Sequence, residues 1–389
     1  MAIAAEIATF KRQLRVLTPL DAPYVICQGK SLINFAGNDY LGLSNHPLVK
    51  EEASKFLSLY GAGSPSSRLV TGNIDCYDQI ERKLAIATGF EAALIFPTGY
   101  QLNSSVLPSI LTPGHTVFAD ASVHRSIIEG LKLARCHFRR FNHLDNCHDL
   151  RGKLQQFHSK DRTAATNSLW LAVESVYSVD GSIHDLEELS TLAGQYEAKI
   201  FLDDGHALGV LGNRGLGLAA GRKDLTIAMG CFSKGAGTMG GYLLTSRLIK
   251  EYLVNTCPGL IYSTALAPPV LGAIAASLNL IPQMDEERAY LQAMSDYLRL
   301  NLREMGFHIG PSKSNIISIF LEGETMAVNL SQHLEDNGVL IVALRPPTTA
   351  KGISALRISL TCKHKEEHIE RLLKALASFP TRAGCREGF

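Results

Sequence analysis

The chain has no apolar run approaching the roughly eighteen residues that a membrane-spanning helix requires. It also has almost no charge imbalance. Thirty-eight Lys and Arg stand against 37 Asp and Glu, a formal net charge of +1, so no broad field draws it to nucleic acid or an anionic membrane. Arg139-Arg140 and the Lys363–Lys365 stretch are too short to form a nucleic-acid patch. Eight cysteines are present, yet none forms a Cys-x-x-Cys pair. In a chain of 389 residues they read as reduced thiols in a reducing compartment, which predicts a cytoplasmic location. Glu6 interrupts the first apolar stretch and argues against a secretory signal. There is no repeat, no low-complexity tract and no convincing metal-ligand spacing, so no metal is expected. His364 and His368 lie one helical turn apart, but no glutamate follows the first histidine as zinc proteases require. That pair reads as a solvated helix face.

What remains is a soluble globular composition, 46% hydrophobic and 19% charged, with length for more than one domain. Ile3, Ile7, Phe10, Leu14 and Leu17 recur at helical spacing and predict an amphipathic helix over 2–17. Seven short apolar runs follow: 92–96, 116–119, 137–141, 169–173, 200–202, 225–229 and 242–244. Helical patterns such as 122–134 and 186–196 separate them. This alternation predicts βαβ units and an α/β fold with a mostly parallel seven-stranded sheet. After Pro282 a helix (286–304), strand (316–321), helix (326–337), strand (339–343), strand (356–360) and helix (366–377) predict a smaller α+β domain. The expected division is an N-terminal arm 1–45, a large domain 46–282 and a small domain 283–389.

Ligands in such sheets bind beyond the carboxyl ends of the strands. Lys234 follows the 225–229 run in Cys231-Phe232-Ser233-Lys234-Gly235. Asp203-Asp204-Gly205-His206 ends the 199–202 run. A lysine among small residues and an acid with an imidazole at neighbouring strand ends suit pyridoxal phosphate (PLP). The lysine would hold the aldehyde as a Schiff base, and Asp203 would keep the pyridine nitrogen protonated. Burial is expected to lower the Lys234 pKa and so supply the free amine. Asp204, on the opposite face, is expected to be structural or solvent-facing. Gly99 and Tyr100 open a helix after the first strand, and their free amides could bind the phosphate. His124 begins the next helix and could stack on the ring. Glu174 and Ser178 end the 169–173 run, and a buried glutamate there needs a partner or a function. Gly235 to Gly240 matches G-x-G-x-x-G, but no acid lies about twenty residues on, so a dinucleotide site is rejected.

In this order the chain carries Asn38-Asp39-Tyr40-Leu41-Gly42-Leu43, Ser67-Arg68-Leu69-Val70-Thr71-Gly72, Asp203-Asp204-Gly205-His206, Ser233-Lys234-Gly235 and Ile261-Tyr262-Ser263-Thr264. These motifs resemble the α-oxoamine synthases, PLP-dependent transferases of fold type I, across nearly the whole length. The resemblance implies that Lys234 anchors the cofactor and moves the Cα proton, and that Asp203 pairs with the ring nitrogen. It implies that His124 stacks on the ring, that His206 and Ser178 contact its phenolic oxygen, and that Gly99 and Tyr100 hold the phosphate. Ser233 and Thr264 are further phosphate candidates, Thr264 for a neighbouring subunit, because the family forms homodimers with shared active sites. Arg357 would bind the amino-acid carboxylate, with Asn38 beside it and Glu174 near the reacting atoms. Arg12 or Arg15 would face the acyl substrate, and Thr348 is a further substrate-binding candidate. The stretch Leu344-Arg345-Pro346-Pro347-Thr348 resembles the member that condenses L-alanine with a pimeloyl thioester, carried on coenzyme A or a carrier protein. The alternatives are a glycine-using member and a non-catalytic protein that kept the fold. Three departures stand out: Cys231 replaces a usual Thr or Ser phosphate ligand, Tyr77 a usual His, and Gly205 a usual Ala, which should only loosen the turn.

Overall fold

The computed structural model describes residues 14–160, 169–346, 348–349 and 352–380. Near the N-terminus β1 (Leu17–Pro19), β2 (Tyr24–Cys27) and β3 (Lys30–Asn34) form an antiparallel meander. The helix expected over 2–17 lies largely outside the described residues, and its last turn is not helical. Leu17–Pro19 instead pair with Val25–Cys27, so backbone pairing overrides the apolar spacing there.

The large sheet contains β4 (Ala92–Phe96), β5 (Thr116–Asp120), β6 (His137–Phe141), β7 (Leu169–Glu174), β8 (Lys199–Asp203), β9 (Ile227–Cys231) and β10 (Gly241–Thr245). Their order is β4-β10-β9-β8-β7-β5-β6, and only β10 runs antiparallel to its neighbours. The central strands are buried along their whole length, which is why they read as continuous apolar runs. Because six strands share a direction, Phe96, Asp120, Glu174, Asp203 and Cys231 end at one edge of the sheet. The 225–229 run was displaced by two residues from the strand it marks. That shift matters, since it makes Cys231 the last residue of β9 rather than part of the loop.

The small sheet is β11 (Ile316–Glu322), β13 (Val342–Leu344) and β14 (Ile353–Ser359), with β14 in the middle. The single strand expected over 339–343 is divided. Val339–Leu340, as β12, pairs in parallel with Ile33 and Asn34 of β3, while Val342–Leu344 pair with β14. Ile341, buried between them, carries the chain from one sheet to the other. An apolar run shows burial but not which sheet provides it.

The His364–His368 pair is likewise corrected. His364 is fully buried and stacks on Phe35 with ring centroids 4.1 Å apart. His368 is buried, its Nδ1 accepts the Lys365 amide, and its Nε2 lies 2.9 Å from the Tyr24 hydroxyl. His368 therefore caps the Glu366–Ala377 helix, and the two rings tie the N-terminal segment to it through Tyr24 and Phe35. Among the described residues no helix is long and apolar enough to cross a membrane.

Candidate active site

Three groups from two strand ends converge on Gly205. A Cβ built there would lie 2.9 Å from Asp203 Oδ1, 3.1 Å from Lys234 Nζ and 3.4 Å from Cys231 Sγ. The absence of a side chain at 205 thus does more than loosen a turn. It leaves room beside the lysine amine, and a methyl group would press on it. Burial alone would lower the Lys234 ammonium. Cys231, Asp203, Tyr40 and Glu174 surround it, however, and the net shift is upward. The lowering expected from burial alone is therefore not the net outcome: the free lysine shifts upward where these neighbours oppose desolvation.

Asp203 is fixed from behind. Its Oδ2 accepts from Asn103 Nδ2 at 2.8 Å and its Oδ1 from the Gly205 amide at 3.0 Å. Asn103 also donates to Ser126 Oγ at 3.0 Å, and Ser126 Oγ lies 2.7 Å from His124 Nδ1. The Ser126 amide donates to the same Nδ1. With two donors facing it, Nδ1 is an acceptor, so the His124 proton is on Nε2. His124 is the N-cap of the Arg125–Ala134 helix, three residues after the predicted start of that helix. Its amide donates to Glu174 Oε1. Burial pushes the Glu174 carboxyl well above its usual range and Asp203 adds to that, against the pull of Lys234 and the His124 amide. Burial thus favours the protonated form of Glu174 at the strand end.

On the opposite side His206 is buried, with Nδ1 2.7 Å from the Tyr40 hydroxyl. Burial, then Lys234 and Arg357, hold its imidazole well below its usual pKa. Arg357, on β14, donates through Nε to the Ser178 carbonyl at 2.6 Å and through NH2 to Asn38 Oδ1 at 3.1 Å. Two distant segments of the chain therefore fix one guanidinium. Asn103, Ser126 and Tyr40 were not singled out from the sequence. Tyr40 at least lay inside a quoted motif, whereas nothing local marks Asn103.

The Gly99–Ile110 helix starts beside this cluster, capped by Thr98, whose hydroxyl accepts the Gln101 amide. A side chain at Gly99 would collide with Cys231 Sγ, so the thiol lies at the helix mouth. The Tyr100 ring meets His124 edge-on, with centroids 6.1 Å apart. Burial raises the Cys231 thiol despite Lys234, which keeps it protonated. Ser233 is exposed in the turn before Lys234. Thr264 stands apart, bridged to Ser67. Thr348 lies on a cleft also lined by Val123, Tyr177 and Phe320, and Arg12 falls outside the described residues. Arg15 is drawn away by Glu335, 2.6 Å distant, and by Cys27. Tyr77 is buried under the Arg68 guanidinium and accepts the Leu266 amide, so it is a structural substitute for the usual histidine. Asp204 is structural but not solvent-facing. It is buried, and it accepts from the Ser175 hydroxyl and the Ala219 amide.

Comparison with known proteins agrees with this arrangement. Residues 30–376 match the family model described as aminotransferase class I and II. The 8-amino-7-oxononanoate synthase of Gluconacetobacter diazotrophicus is 41% identical over 372 residues, covering 93% of this chain and 92% of that protein. That of Lysinibacillus sphaericus is 36% identical over 376 residues, covering 96% and 95%. Among solved structures, a Sphingomonas wittichii serine palmitoyltransferase superposes with a TM-score of 0.89 at 29% identity, covering 97% and 95% of the two chains. An 8-amino-7-oxononanoate synthase from Francisella tularensis gives 0.75 at 26% identity, covering 89% and 97%. The chain belongs to the aminotransferase class I and II family, within its α-oxoamine synthases, and is an acyltransferase with the type I fold of PLP-dependent enzymes.

Proposed function

We propose that the protein is an 8-amino-7-oxononanoate synthase, condensing L-alanine with a pimeloyl thioester and releasing CO2 and the free carrier. The observation that carries this reading is Arg357, a guanidinium held by Asn38 and Ser178 close enough to Lys234 that both bear on buried His206. An anchoring lysine and a carboxylate-binding arginine around one pocket suit an amino-acid substrate. The relatives named above and the Arg345-Pro346-Pro347-Thr348 stretch favour alanine over glycine.

The residues present fit PLP. Asp203 is an acid already oriented by Asn103 and the Gly205 amide, and the Gly99 turn lets backbone approach a ligand where a side chain would not fit. When bound, PLP supplies a cationic conjugated ring that takes up the electrons released at Cα. Asp203 would hold the proton on the ring nitrogen. His124 would pack on the ring face, its Nδ1 occupied by Ser126. His206 and Ser178 would face the phenolic oxygen. The Gly99 and Tyr100 amides, with Ser233 and with Thr264 of a neighbouring subunit in a homodimer, would hold the phosphate. Arg357 and Asn38 bind the alanine carboxylate and aim its Cα proton at Lys234, which removes and later returns it. Glu174, whose protonated form burial favours, would stand beside the carbonyl that is attacked and in that form could donate a hydrogen bond to it.

The test is direct. Purified protein loaded with PLP is given alanine or glycine, each with pimeloyl-CoA, pimeloyl-carrier protein or acetyl-CoA, and products are identified by mass spectrometry. The expected product is 8-amino-7-oxononanoate from alanine and a pimeloyl thioester, abolished in Lys234→Ala. A preference for glycine with acetyl-CoA would assign the chain to a glycine-using member instead. No condensation at all would favour the non-catalytic alternative.

A further inference from the structure

A cleft of about 610 Å³ separates the large domain from the small one. That is the size of a small-molecule site. Its large-domain wall includes Val123 and the Tyr177 and Val179 that flank Ser178. Val123 precedes His124, and the Ser178 carbonyl holds Arg357, so this wall backs directly onto the cluster described above. Phe320 and Ile353 provide an apolar wall from the small domain. The cleft therefore adjoins the segments that carry His124 and Ser178, and its apolar walls suit methylene groups.

Two arginines line it, and they differ. Both are exposed, but Arg125 is paired with Glu129 at 2.5 Å. Arg140 has no carboxylate within ion-pair distance among the described residues, and its recorded contact is the Ala121 carbonyl at 3.5 Å. The one acid on the lining, Asp180, is turned to the Ser182 amide and hydroxyl at 2.9 and 2.7 Å. A chain of methylenes leaving the reacting centre would thus meet an uncompensated guanidinium.

We infer that this cleft takes the acyl chain and that Arg140 binds a carboxylate at its far end, making Arg140 the residue that selects a dicarboxylic acyl group over a fatty one. The inference rests on the acyl-thioester reading above. A planar fork of donors is the natural reader of a terminal carboxylate, and a methyl-ended chain would leave it unpaired. Thr348, a substrate-binding candidate from the sequence, lies on the same cleft.

The test compares pimeloyl-CoA with heptanoyl-CoA, which has the same length and no distal acid, in the PLP-loaded wild type and in Arg140→Gln. Arg140→Gln is expected to lose roughly ten- to a hundred-fold in kcat/KM for pimeloyl-CoA, the worth of one charged hydrogen-bonding pair. Activity on heptanoyl-CoA and the KM for alanine should not change. Equal losses on both thioesters, or no loss on either, would overturn the assignment. A second measurement stands apart from catalysis: calorimetric binding of free heptanedioate. Weaker binding to Arg140→Gln than to wild type supports the subsite even if no condensation is found, in which case only the proposed reaction fails. Equal binding, or none to wild type, refutes the subsite even if condensation is found.

Discussion

Asn103 Nδ2 donates to Asp203 Oδ2 at 2.8 Å across a hundred residues of sequence, and the same amide reaches Ser126 Oγ, the partner of His124. One buried side chain thus ties the acid proposed for the ring nitrogen to the imidazole proposed for the ring face.

Asn103→Ala should therefore act at two points. Asp203 Oδ2 and Ser126 each lose a donor in a buried site, a cost of about 1–3 kcal/mol in stability. A purely structural residue would show only that. If Asn103 positions Asp203, the variant will also bind PLP more weakly, by roughly ten-fold, and the visible absorption of the bound cofactor will titrate at a different pH. Fluorescence titration with PLP and a pH series of spectra would read both, and an unchanged titration would leave Asn103 structural.

Gly99 should tolerate no side chain. A Cβ there would collide with Cys231 Sγ and lie 3.2 Å from Met229 Cε. Gly99→Ala is expected to weaken PLP binding strongly, because the helix mouth must shift to accommodate the methyl group. Cys231→Ala removes the sulfur, so the double variant should recover much of the loss. Equal PLP affinity in the single and double variants would show that the clash is not the cause.

Asp204 should make stability fall with rising pH. Burial pushes its carboxyl from 3.8 up to about 7, against the pull of the Ser175 and Ala219 donors and with a further push from Asp203. With the folded-state pKa above the unfolded one, the folded protein binds the extra proton. Its stabilising share is complete below about pH 4 and is lost as the pH climbs to about 7. Asp204→Asn does not titrate. Relative to wild type it should gain up to about 4 kcal/mol over that interval, an upper limit for three pKa units. Thermal melts of both proteins from pH 4 to 8 would show converging or crossing curves. Parallel curves would contradict the shift.

Much of this site was legible in the sequence because strand periods and turn residues are local. Apolar runs 92–96, 169–173 and 199–202 marked strands, and the residues just beyond them were at the correct edge of the sheet. Lys234, Asp203, His206, His124, Glu174, Asn38 and Arg357 all fall on that edge or against it. What failed depended on residues far away in sequence. His364 and His368 read as solvated because nothing near them shows that Phe35 and Tyr24 cover them. Arg15 looked available until Glu335 claimed it.

By itself, then, the sequence determined the order of strands and helices, the glycines at the tight approaches and the identity of the groups at each strand end. These follow from side-chain period and backbone freedom over a few residues. Only the tertiary structure decided how the 339–343 run divides between two sheets, which amide orients Asp203, and which groups surround Lys234. Those are set by burial and by charges brought within a few ångströms from remote segments, and electrostatic and desolvation energies depend on that three-dimensional distance.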